Sequence, residues 1–251
     1  TECHGAVLAS DAGRWSEEGA AKELKEITIN GDKYLNVDMS TTAGIDRAKT
    51  LGVASSGMAD AIITPYILKS TSLFDDKHHG LAFTMMRHPV ERAASMYNYL
   101  TKNGNAEIKR LTIEEYAKSP HAENNWMVRF LTGKLGGEVT DDDLLVAKEM
   151  LRTKFVVGLL EYKSTSMKRF EQYFGWTYTE NPKEQYSCRK KAIEKNVKGG
   201  GGDGSTKIKE GSQAYSLLMW QNKLDMQLYL YAQHVYNLQG QKLFPNLEAK
   251  Q

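Results

Sequence analysis

Leu81-Ala-Phe-Thr-Met-Met-Arg-His-Pro-Val-Glu-Arg-Ala-Ala-Ser-Met-Tyr-Asn-Tyr-Leu100 is the stretch on which the fold turns. Its first six residues are short and uncharged and follow a His78-His79-Gly80 punctuator, so they read as a buried strand. Pro89 suits the first helical position, where its missing N–H has no partner anyway. The strand therefore runs into a helix through Arg87 and His88. A helix N-terminus offers unpaired N–H groups and a partial positive charge, which favour an anion. Arg87 adds a bidentate fork and Ser95 a hydroxyl donor. Arg92, Ser95 and Tyr99 follow at helical spacing and share one face. Two readings stand at this point. One is a pocket for a phosphate; the other is a structural strand–helix turn whose arginines pair with carboxylates.

Outward from this stretch the pattern alternates. Tyr34 to Asp38 reads as a short strand, followed by a Ser/Thr-capped helix over Ser40 to Leu51 with Ala43, Ala48 and Leu51 inward. Asp60 to Thr64 is a second strand ending at Pro65. Thr112 opens a helix with Glu115 three residues on, and Thr140 opens another with Asp143 at the same offset, both in the capping-box pattern. Asn124 to Leu131 reads as helical and Phe155 to Leu160 as an unbroken apolar strand. Ser164 to Phe174 is a helix packing Met167, Phe170 and Phe174. Leu217, Trp220, Leu224, Leu228, Tyr231 and Val235 recur at three- and four-residue steps, which predicts one long helix over Ser212 to Gln239 with those residues in the core. Strands alternating with helices predict an α/β fold with a mostly parallel sheet covered on both faces. In such sheets ligands lie beyond the carboxyl ends of the strands, which is where Arg87 falls.

A chain of 251 residues, 41% hydrophobic and 25% charged, is ordinary for a globular protein and long enough for one substantial core. A single domain over 1–251 is the expectation. A net charge of +2 is too small to argue for nucleic-acid binding. No apolar stretch is long enough to span a bilayer, and no signal-peptide pattern opens the chain. Cys3 and Cys188 are compatible with one disulfide or with two unrelated thiols. There is no Asn-x-Ser/Thr site.

The motif Arg-x-Pro-Val-x-Arg-x-x-Ser-x-Tyr from Arg87 to Tyr97 resembles the 3′-phosphate-binding motif of sulfotransferases that use 3′-phosphoadenosine 5′-phosphosulfate (PAPS). Asn124-Asn-Trp-Met-Val-Arg-Phe-Leu-Thr-Gly133 is similar to a segment of Golgi-type carbohydrate sulfotransferases. Phe155 to Glu161 with the following helix ending Phe174-Gly175-Trp176 resembles the family's later strand–helix unit, and Asn222-Lys-Leu-Asp-Met-Gln-Leu-Tyr229 its closing helix. The four segments occur in the family's order over roughly two-thirds of the chain, which one motif alone would not achieve.

The resemblance implies a P-loop-NTPase-like parallel sheet and transfer of a sulfuryl group from PAPS to an acceptor hydroxyl or amine, with a carbohydrate as the expected acceptor. It implies no metal, and residence in the Golgi lumen with anchoring through an upstream segment. Arg87, Ser95 and Arg92 are the candidate cofactor residues. Arg189 and Lys190, in the basic Cys188-Arg-Lys-Lys191 cluster, join them because the family brings basic residues from this region to the cofactor. The neighbouring Gly199 to Gly204 run, flanked by Lys195, Lys198, Lys207 and Lys209, is not a P-loop: no strand precedes it and no Gly-Lys-Ser/Thr ends it.

The chain departs from the family at the 5′-phosphosulfate loop, which holds Lys, Gly and Ser/Thr after the first strand. Ile67-Leu-Lys-Ser-Thr-Ser72 lacks glycine and reads as a helix or loop start capped by Ser70 or Thr71. The expectation is that the loop lies upstream of Thr1. No general base stands out among His78, His79, His88 and Asp60. Three hypotheses follow: a PAPS-dependent sulfotransferase, a non-catalytic relative that binds a 3′-phosphorylated adenine nucleotide or sulfated glycan, and a nucleotide-dependent kinase, the last without a visible Walker pair.

Overall fold

The computed structural model describes residues 6–104, 106–176 and 208–248, together with Ser187. Cys3, Cys188, Arg189, Lys190 and the Gly199 to Gly204 run lie outside the described residues. The chain forms an α/β protein in two compact units. The first comprises 1–81, 130–135 and 177–189, and the second 82–129, 136–176 and 190–251.

The first unit is built on strands β1 (Val7–Ala9), β2 (Glu26–Ile29), β3 (Asp32–Leu35) and β4 (Ala61–Ile62), in the order β2-β3-β1-β4. β1 is parallel to both β3 and β4, whereas β2 is antiparallel to β3, so the sheet is mixed. The antiparallel pair is set by Asn30 and Gly31, both at positive φ (53° and 86°), the geometry of a two-residue hairpin. Helix α1 (Thr42–Thr50), capped by the Thr41 hydroxyl on Gly44 N, and the single turn α2 (Val53–Ser56) follow β3. Ile45 and Ala48 of α1 enter a core with Ala9, Leu35, Val37 and Met39. Ala43, expected inward, faces solvent, because the cap at Thr41 turns Ile45 and Ala48 onto the sheet instead.

Asp60 accepts a hydrogen bond from Val7 N at 2.8 Å and so secures the start of β1. A side chain on Gly44 would collide with the Asp38 carbonyl oxygen, a backbone atom that cannot swing aside. Gly44→Ala is therefore expected to destabilise by about 2–3 kcal/mol, in the range of forced overpacking, and urea unfolding of the variant would measure it.

α3 (Ile67–Ser70) ends in a 3-10 turn. Ser70 and Thr71 do not cap a helix start as expected. Their hydroxyls donate back to the Ile67 and Leu68 carbonyls at 2.7 Å, closing the end of the turn.

The second unit holds strands β5 (Ala82–Met86) and β6 (Phe155–Leu159), paired in parallel with Ala82 opposite Phe155 and Met86 opposite Leu159. Its α-helices are α4 (Pro89–Lys102), α5 (Ile113–Lys118), α6 (Trp126–Thr132, whose last three residues fall in the first unit), α7 (Asp141–Lys154), α8 (Lys163–Phe174), α9 (Gln213–Gln221), α10 (Lys223–Leu243) and α11 (Pro245–Glu248). Both capping boxes form: Thr112 with Glu115, and Thr140 with Asp143. Phe170, Val156 and Phe244 make one core cluster, with Phe83, Met167, Phe174 and Trp176 packed against it.

The expected single helix over Ser212 to Gln239 is broken at Asn222, whose φ of −113° and ψ of 33° leave the helical region. The break rephases the stripe. Leu224, Leu228 and Val235 stay buried, but Trp220 on α9 is 71% exposed while Leu218 takes the inward place.

The physical reason lies in a reciprocal clasp. Asn125, at φ 48°, accepts from Leu224 N (2.9 Å) and Asp225 N (3.2 Å), capping α10. Asp225 in turn accepts from Met127 N and Val128 N, both at 2.9 Å, capping α6. Asn222 Oδ1 accepts from Asn125 N at 3.1 Å. Each helix start satisfies the other's orphan N–H groups, which a continuous helix could not do. Among the described residues, no helix is long and apolar enough to cross a membrane.

Candidate anion-binding turn

The site is built where two parallel strands end. With Met86 opposite Leu159, the next residues beyond the pairing are Arg87 on one strand and Leu160 on the other, followed by His88 and Glu161. His88 is the N-cap of α4 and Pro89 its first residue, as expected. The His88 side chain gives no hydrogen bond to the first turn, so that turn carries no side-chain cap. The imidazole instead packs in an aromatic group, 5.6 Å edge-on from Tyr229 and 6.3 Å stacked with Tyr215.

The three described candidates separate. Arg87 makes an i,i+4 contact from Nε to Glu91 at 3.4 Å, long and solvent-exposed, and worth little in stability. Its two terminal nitrogens have no acceptor among the described residues. Ser95 lies one turn beyond Glu91 on the same helical stripe, half-buried, and its hydroxyl bonds to no described residue. Glu91 lies between them, so a phosphate on Arg87 must displace the Glu91 carboxylate, which at 64% exposure can turn to water.

Arg92 does something else. Its Nη1 donates to Glu123 at 2.5 Å, with both side chains less than a fifth exposed. The guanidinium lies over the Trp126 ring, 4.9 Å from its centre. Fully buried Tyr116 stands close by; burial, with the Glu123 charge, pushes its phenol up to about 12. Arg92 thus belongs to an internal network, and Tyr99, expected on the same face, is 61% exposed. Arg189 and Lys190 lie outside the described residues.

Residues not singled out from the sequence gather on the same edge. Glu161 Oε1 accepts from the Tyr229 hydroxyl and from Gln233 Nε2, each at 3.0 Å. Burial and the bond to Glu161 push the Tyr229 phenol well up, so it stays a donor. These contacts join residues 68 and 72 positions apart, and no local spacing announces them.

In the first unit, the β3–α1 turn is a strand–loop–helix connection that the sequence reading did not weigh as a phosphate loop. Its own chemistry is closed. Asp38 Oδ1 accepts from Ser40 N (2.9 Å) and from its hydroxyl (2.5 Å), and Thr41 covers Gly44 N. A carboxylate already stands at this helix start, where an incoming phosphosulfate would be repelled. Lys69, the lysine of the other considered loop, is paired with Asp46 at 2.5 Å. His78 pairs locally with Asp75 at 2.9 Å. Comparison with known proteins finds no match among protein-family models, curated proteins or solved structures.

Proposed function

We propose that this protein is a sulfotransferase-like protein that takes the 3′-phosphate of PAPS between Arg87 and Ser95, and that as an enzyme it transfers the sulfuryl group to an acceptor hydroxyl or amine, most naturally on a carbohydrate. The observation that carries the reading is the turn itself: a parallel strand ending in an arginine whose two terminal nitrogens are uncommitted among the described residues, beside a helix start without a side-chain cap. A dianionic phosphate there gains charge-assisted bonds from Arg87, the helix partial charge and the Ser95 hydroxyl. Transfer from PAPS is in-line, relying on positioning and on charge stabilisation at the leaving oxygen. Placement in the Golgi lumen follows from the same family resemblance.

A second reading, a binder without transferase activity, is favoured by the Asp38 carboxylate at the β3–α1 helix start. Incubation with 35S-labelled PAPS and a carbohydrate acceptor separates the two, because only the enzyme moves label.

The shared pocket is tested by calorimetry with adenosine 3′,5′-bisphosphate. Arg87→Ala is expected to weaken it ~10- to 100-fold, the worth of one charged bidentate contact, with little change for adenosine 5′-monophosphate. Equal losses for both nucleotides would remove the 3′ assignment.

A further inference from the structure

We propose that the outward face of α7, continued onto α10, docks a second copy of this chain in an antiparallel, two-fold α7–α7 pairing. Leu144, Ala147 and Leu151 of α7 turn into the core. Leu145 and Val146 stay outside it, at 62% and 53% exposure. A helix serving only its own core would carry polar side chains there. The face continues onto α10. Lys148 Nζ lies 5.7 Å from the centre of the Tyr231 ring, and the His234 ring stands 6.2 Å from the same ring. Leu238, exposed and four residues beyond His234, extends this stripe. Exposed apolar surface rimmed by charge marks a protein contact.

Charge identifies the occupant. The first turn of α7 carries Asp141 and Asp142 and the last turn Arg152 and Lys154, all four exposed. This order suits the helix's own dipole, and it also makes the face complementary to itself. In an antiparallel pair about a two-fold axis, the acids of each copy meet the bases of the other at both ends. A parallel pair would set like charges together. Arg152 already bonds Glu149 at 2.7 and 2.9 Å, an exposed pair weak enough to yield to a partner's carboxylate. An anionic membrane surface is the poorer fit, because Asp141, Asp142 and Glu149 would repel it.

Size sets the strength. The 14 residues of α7 span about 21 Å. A face of that length and two helices wide covers roughly 400 Å² per copy, about half of a standard interface. The dimer is therefore weak and reversible, with an expected Kd of ~10–100 µM.

The test is analytical ultracentrifugation of the full chain over ~5–500 µM, in a reducing buffer that keeps Cys3 and Cys188 out of the result. Monomer–dimer exchange is expected. Leu145→Ser with Val146→Ser should weaken it by ~10-fold or more, while Trp220→Ser, at an exposed position of α9, leaves it unchanged. Asp141→Lys with Asp142→Lys, and Arg152→Glu with Lys154→Glu, should each give monomers, and an equimolar mixture of these two variants should recover the dimer. Every substituted position is exposed, and circular dichroism confirms that each variant is folded. Five results overturn the proposal: a chain monomeric throughout the range, a dimer that survives the Leu145 and Val146 changes, a dimer lost in Trp220→Ser, either charge variant dimerising alone, or a mixture that stays monomeric.

Discussion

Asp225→Ala is expected to lower stability by about 3–5 kcal/mol at pH 5, because it strands two helix N–H groups in the interior at ~1–3 kcal/mol each and opens the clasp. Asp225 is fully buried and supplies both bonds to Met127 and Val128. For a chain of this size that is a fall in Tm of ~10 °C, measurable by calorimetry.

The effect depends on pH in a defined direction. Burial, the largest influence, raises the Asp225 carboxyl to about 6, against the helix N–H bonds and the Arg92 charge, which lower it. A folded pKa above the unfolded value near 4 means that the native state holds the proton longer. The contribution is full below about pH 4 and fades as pH rises through about 6, by no more than ~3 kcal/mol. Asp225→Asn cannot titrate. The stability of wild type relative to Asp225→Asn should therefore increase from pH 7 down to pH 4 in urea unfolding. A difference that is flat with pH would show that Asp225 does not titrate in that window.

Arg92→Met is the second large effect and separates the two arginines of the motif. Removing one partner of a mostly buried ion pair leaves the other charge uncompensated, at ~3–5 kcal/mol when burial is complete. With Arg92 17% and Glu123 16% exposed, the expected loss is about 2–3 kcal/mol. Glu123→Gln should cost less, since an amide still accepts from Arg92. At temperatures where the variant is folded, adenosine 3′,5′-bisphosphate should bind within threefold of wild type, unlike Arg87→Ala. Equal nucleotide losses in Arg92→Met and Arg87→Ala would return Arg92 to the phosphate turn.

Much of the architecture was written locally. The apolar run before Arg87, Pro89 at the helix start, and the Thr-x-x-Glu and Thr-x-x-Asp boxes are short-range signals, and each produced its element in place. Asn30-Gly31 was a hairpin signal of the same kind that the reading passed over; it decides the antiparallel edge strand. The stripe in the C-terminal segment was real but incomplete. Helical periodicity cannot see that Asn222 prefers a partner 97 residues away to the next helical turn.

What the sequence determined by itself is therefore the nature of the elements and the presence of an arginine at the end of a strand, because caps, prolines and periodicity act over a few residues. What the tertiary structure alone decided is which arginine is held by a mostly buried carboxylate and which meets, among the described residues, an exposed one. Arg92 and Arg87 are equal in a motif. Long-range packing places Glu123 and Trp126 against the first, while the second meets, among the described residues, the solvent-facing Glu91 carboxylate. Burial and charge pairing depend on neighbours distant in the chain, and no spacing of residues encodes them.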